Sequence, residues 1–179
     1  MNAQNILQFW FDELSPKQHF EKDESFDALI RERFSEVRRA ASQGELFEWR
    51  SVPEGRLAEI IVLDQFSRNL YRDRPQAFAC DGMALVLAQE AVSLGADQVL
   101  LPDHRVFMYM PYMHSESRAI HVIAERLFRR LGIEANLKYE LSHKAIIDRF
   151  GRFPHRNVIL GRESTLEECQ FLEQPGSSF

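Results

Sequence analysis

The densest chemistry in the chain lies between Arg149 and Thr165, RFGRFPHRNVILGREST, where four arginines, one histidine and one asparagine occur with no acidic residue before Glu163. Guanidinium forks match carboxylates and phosphates bidentately, and an imidazole among them titrates near neutrality. A second stretch, DQFSRNLYR from Asp64 to Arg72, parallels it: Phe66-Ser67-Arg68-Asn69 reads like Phe153-Pro154-His155-Arg156-Asn157 with one residue inserted. A third, PYMHSE from Pro111 to Glu116, adds His114 and Glu116. The three stretches are expected to converge on one polar centre, with Asp64, Arg68, Asn69, His114, Glu116, Arg152, His155, Arg156 and Asn157 as its ligand-binding residues.

The helical periodicity around these residues gives the convergence its physical basis. Continuing the stripe Leu57, Ile60, Ile61 by helical steps leads to Asp64 and Arg68, an acid and a base where the pattern asks for leucine. Glu116 stands in the same relation to Ile120, Ile123 and Leu127, His143 to Ile147 and Phe150, and Asp81 to Leu85, Ala88 and Val92. Charge on a core-facing stripe is costly unless paired, so Asp64, Asp81 and Glu116 are expected partners of Arg68, Arg152 and Arg156.

Three readings follow. One is a structural ion-pair network that fixes helix docking. Another is a binding or scaffold protein whose arginine- and histidine-lined pocket takes a small anion or a peptide carboxylate. The last is a hydrolase acting on a phosphate or carboxylate ester, with His114 or His155 as general base and Glu116 or Asp64 orienting it. No nucleophile elbow, phosphate-binding glycine loop or HExxH is present, and Arg118 between His114 and His121 would repel a cation; neither a metal nor a cofactor is expected.

An all-α fold must position these groups: about eight helices in antiparallel pairs, with no alternating strand pattern of useful length. The spacing predicts a short apolar helix from Ile6 to Leu14, one from about Asp23 to Gln43, and a short turn of helix from Leu46 to Arg50. After a break at Pro53-Glu54-Gly55, a central helix with two apolar stripes runs from Arg56 to about Tyr71, and a helix opened by Pro75 continues to Leu94. A start at Asp103 leads into the run Val106 to Met110 before Pro111; helices over Ser115 to Leu131 and Glu134 to Phe150 make a hairpin; the last begins near Ser164 or Thr165, where Ser164 with Glu167, or Thr165 with Glu168, forms a capping box. A single domain over 1–173 with a loose tail at 174–179 is expected.

Bulk properties narrow the partners. Net charge is −5, which argues against a nucleic-acid footprint, and no window reaches the roughly 20 apolar residues of a bilayer span. Cys80 and Cys169 are isolated and read as buried core thiols of a cytoplasmic protein, while 14 phenylalanines point to a core built on aromatic packing. No oligomeric state follows from the sequence.

At LDQFSRNLYR (63–72), PYMHSE (111–116) and GRFPHRNVILGREST (151–165), and in its opening ILQFWF, the chain resembles the bacterial family known as domain of unknown function number 924, from Ile6 to about Leu172. The resemblance implies an all-helical fold of the tetratricopeptide-like superfamily and brings no activity, substrate or cofactor. It marks Asp64, Gln65, Arg68, Asn69, Tyr71, Pro111, His114, Glu116, Gly151, Phe153, Pro154, His155, Arg156, Asn157 and Gly161 as motif positions without roles. Ser67 departs from that family, where proline is expected.

Overall fold

The computed structural model describes residues 1–178, which are helical with no strand among them. Eight helices succeed one another in the described residues. Helix α1 covers Ala3–Leu7 and continues through a π-type turn at Gln8–Glu13; α2 is Glu24–Ser42. Helix α3 is one continuous rod made of Pro53–Ile61, a π-type stretch at Val62–Phe66 and Ser67–Leu70. The others are α4 (Asp81–Ser93), α5 (Pro102–Met113), α6 (Arg118–Leu131), α7 (Glu134–Phe150) and α8 (Leu166–Leu172). The tail residue Phe179, part of the expected loose segment, lies outside the described residues.

The chain divides into two compact units. The first comprises Met1–Arg72 and Gln76–Pro111. Helix α3 is its centre, packed by α1, α2 and α4. Every residue from Leu57 to Ser67 is buried, which answers to the two apolar stripes and leaves no solvent face on that stretch. Aromatic rings fill the space around it: Phe9 lies 4.6 Å from Phe34, Phe34 4.8 Å from Phe66, and Trp10 5.6 Å from Phe66. Gly55 is required here, because a Cβ at that position would lie 1.9 Å from the Trp49 carbonyl oxygen. The proline-glycine segment is therefore the first turn of α3, with Pro53 at its start, and not a break before it.

The second unit comprises Asp73–Pro75 and the chain from Tyr112 onward. Its main body is the α6–α7 hairpin, joined by Gly132 and Ile133. Thr165 caps α8 reciprocally with Glu168.

Some helix boundaries correct the sequence reading. Pro75 starts only a short 3₁₀ turn, Pro75–Ala77, and α4 begins at Asp81. Its buried face is Ala84, Ala88 and Ala91, whereas Met83 and Leu94 are exposed. Helix α5 runs through Pro111, since proline near the end of a helix releases only one carbonyl partner. Helix α6 starts at Arg118 with Ser117 in extended geometry before it, so His114 does not share a helix face with Arg118 and His121. Cys80 is buried as expected, but Cys169 is exposed. No helix of the described residues is long and apolar enough to cross a membrane.

Candidate functional site

Within the first unit, the DQFSRNLYR stretch forms a network of ion pairs on α3. Arg68 grips both carboxylate oxygens of Asp81 at 3.0 and 3.1 Å and reaches Asp64 Oδ1 at 2.9 Å. Burial would lower the Arg68 pKa, but the adjacent Asp64 and Asp81 carboxylates prevail and hold it above its ordinary value. One residue on, the Asn69 amide donates to Asp27 at 2.9 Å, and Arg72 forks the same carboxylate. Ser67, standing where proline was expected, lies within continuous helix and accepts a hydrogen bond from Arg38 Nε at 3.1 Å. The guanidinium of that buried arginine lies 4.8 Å over the Tyr71 ring.

Within the second unit, the long basic stretch is shaped by the end of α7. Gly151 adopts φ 72° after the last helical residue, a left-handed conformation suited to glycine, and the chain turns back. Phe153 is thereby driven into the interior with no exposure, and Pro154–Arg156 forms a 3₁₀ turn behind it. The Phe153 ring is the hub of the unit's basic groups. The Arg156 guanidinium lies over it at 4.6 Å, with the His143 and His155 rings each at 5.7 Å and His121 at 6.2 Å. His114 stands 6.4 Å from His143.

Carboxylates frame this hub. Glu116 accepts from the Phe153 amide at 2.7 Å and from Arg162 at 2.6 and 2.9 Å. Arg162 also donates to the Phe153 carbonyl and, through Nε, to Asn157 Oδ1, while Asn157 Nδ2 donates to Ser164 Oγ. Burial pushes the Glu116 carboxyl up, but the Arg162 and Phe153 hydrogen bonds outweigh it, so it titrates below the usual carboxylate range. Arg152 forks Glu168 at 2.7 and 2.8 Å, and that hydrogen bonding holds Glu168 at about 2.

His143 is the most perturbed imidazole. Burial, followed by the fields of His114, His121 and Arg156, lowers its pKa to about 3, although Nδ1 donates to the Tyr139 carbonyl at 2.8 Å. It therefore stays neutral at pH 7, with Nε2 as its acceptor nitrogen.

Of the nine residues singled out from the sequence, Asp64, Arg68 and Asn69 belong to the first unit and His114, Glu116, Arg152, His155, Arg156 and Asn157 to the second. Two expected pairings are corrected: the fork partner of Glu116 is Arg162, and that of Arg152 is Glu168. The reason is local, because the Thr165 cap carries Glu168 to Arg152 and the turn after Gly161 delivers Arg162 to Glu116. His143, Arg162 and Glu168 were missed as site residues. His143 was visible as a polar interruption of an apolar stripe, and Arg162 as the last arginine of the basic stretch. Among the described residues, no three His, Cys, Asp or Glu side chains converge as metal ligands would.

Comparison with known proteins agrees with this architecture. The model of a family described as "Bacterial protein of unknown function (DUF924)" matches residues 6–176. The fold is similar to the solved structure of a protein of unknown function from Agrobacterium tumefaciens, with 42% sequence identity, 96% of each chain covered and a TM-score of 0.91. No curated protein matches the chain.

Proposed function

Since the chain belongs to that bacterial family of unknown function, we propose its role from the chemistry of the second unit: binding of a small anion or peptide carboxylate beside His114, His143, His155 and Arg156. The observation that supports this reading is the Arg156 guanidinium lying over the Phe153 ring, against which the His143 and His155 rings also pack. Burial first, and the Arg156 charge in addition, keep a proton off the His143 ring down to about 3. A neutral His143 adds no charge of its own, while the fixed Arg156 cation favours a negative ligand beside it. A guanidinium seated on an aromatic face, as Arg156 is on Phe153, presents its edge as a rigid fork for two oxygens.

The antiparallel α6–α7 hairpin, joined by two residues, supports reading the chain as a tetratricopeptide-like array, a type of scaffold that lends itself to binding. Ester hydrolysis has less support. A base near 3 such as His143 is too weak for general-base work at neutral pH.

Thermal shift with citrate, phosphate and sulfate on the wild type and on Arg156→Ala tests the proposal. Stabilisation of the wild type that disappears in the variant supports it. Stabilisation that survives overturns it. If Arg156→Ala does not fold, Arg156→Lys, which keeps the charge and loses the fork, carries the same comparison.

A further inference from the structure

His121 on α6 and Glu140 on α7 are completely buried, with His121 Nδ1 2.8 Å from Glu140 Oε1. The other ring nitrogen, Nε2, lies 2.9 Å from the carbonyl oxygen of Ser115. A carbonyl only accepts, so Nε2 carries a proton, and the contact between Nδ1 and Oε1 then requires a second proton between them. Without it, a ring lone pair would face a carboxylate lone pair inside the protein. The second oxygen of Glu140 is buried with no hydrogen-bond partner, which makes its full ionisation costly. Burial likewise pushes the Glu140 carboxyl above its ordinary range, against the opposing pull of His121.

We propose that His121 and Glu140 share one buried proton that fixes the turn bearing His114 and Glu116, and that loss of this proton as pH rises frees the turn and weakens anion binding. The second half of this proposal rests on the anion-binding reading given above. Ser115 lies between the two residues of interest, so the His121 hydrogen bond to its carbonyl acts directly on their placement. These are positioning residues: neither His121 nor Glu140 is placed in contact with the anion.

The charged and titratable neighbours come from every packed element. On α6 are Arg118, which donates to the Ile147 carbonyl, and Glu125, which favours the Glu140 proton. On α7 are Lys144, which opposes that proton, and His143, which stays neutral. The turn contributes His114 and the Arg162-bound Glu116, and the 3₁₀ turn after Phe153 contributes Arg156. The raised Glu140 carboxyl sets the sign. Its stabilisation is complete below the ordinary value of 4.5 and is lost as pH rises through the folded value.

Amide exchange at Phe153 N–H, which donates to Glu116, reads the turn without any ligand. It is followed in the wild type and in Glu140→Gln over roughly pH 6 to 10, together with citrate titration. The glutamine amide donates to Nδ1 and cannot lose its proton in that range. In the wild type, protection corrected for intrinsic exchange is expected to fall about tenfold per pH unit above the titration of the pair, the slope of one proton, with citrate affinity falling alongside. In Glu140→Gln both stay flat. Parallel pH behaviour of the two proteins overturns the proposal. Should the variant not fold, nitrogen NMR of the wild-type His121 ring decides, because an Nδ1 with no bound or shared proton at neutral pH overturns the proposal by itself. If citrate binds at no pH while the exchange difference is intact, the anion reading falls and the proton-held turn is supported.

Discussion

Arg162 closes a two-pronged grip on Glu116 at 2.6 and 2.9 Å across 46 residues of chain. Glu116 in turn receives the Phe153 amide. This contact ties the segment after α5 to the segment after α7, and it supports the whole basic turn of the second unit. Arg162→Ala is expected to cost about 2 kcal/mol, the value of hydrogen bonds to a charged group left half-buried without them. Arg162→Lys should recover only part of that, since a single ammonium cannot reproduce the fork. Urea unfolding of the three proteins measures both differences, and equal stability of all three would contradict the role given to Arg162.

Phe153 is the hydrophobic hub on which Arg156 and three imidazoles rest. Phe153→Ala should destabilise by about 3–5 kcal/mol, through lost transfer energy and the cavity left behind. Phe153→Leu should cost much less in stability but remove the aromatic face beneath Arg156. The expected signature is a leucine variant that folds and whose thermal response to citrate is reduced.

Acid should weaken the protein in two stages. The His143 pKa is depressed from 6.5 to about 3, so the unfolded chain takes up a proton that the native state refuses. Stability is therefore full above 6.5 and declines as pH falls toward about 3. Glu168, held at about 2 by Arg152, acts with the same sign: its contribution is present above 4.5 and is lost as pH falls toward about 2. Denaturant unfolding across pH should show the upper stage flattened in His143→Gln and the lower stage retained.

Arg68 serves the first unit in the way Arg162 serves the second. Its removal leaves Asp64, whose side chain is 1% exposed, and Asp81 without their shared cation. Arg68→Ala is expected to destabilise by about 3 kcal/mol, the penalty of a buried ion pair broken on one side. Calorimetry of that variant would refute the network as a stabilising element if its melting temperature matched the wild type.

Much of this was legible in the chain itself. The buried stripes of α3, the α6–α7 hairpin and the Thr165–Glu168 cap follow from contacts three or four residues apart, which periodicity encodes directly. The start of α4 was not, because Pro75 is as acceptable in a 3₁₀ turn as at the head of a longer helix. His143 was visible as an oddity, but its neutrality depends on burial and on three neighbours that no spacing rule brings together.

The sequence by itself determined that the protein is helical and that its arginines and histidines concentrate in a few stretches, because local backbone preference and side-chain period are properties of adjacent residues. Only the tertiary structure decided which carboxylate each arginine holds: Arg162 for Glu116, Arg152 for Glu168, Arg68 for Asp64 and Asp81. Guanidinium and carboxylate bind any partner of opposite charge within reach, and reach is set by how turns such as the one after Gly151 aim the chain.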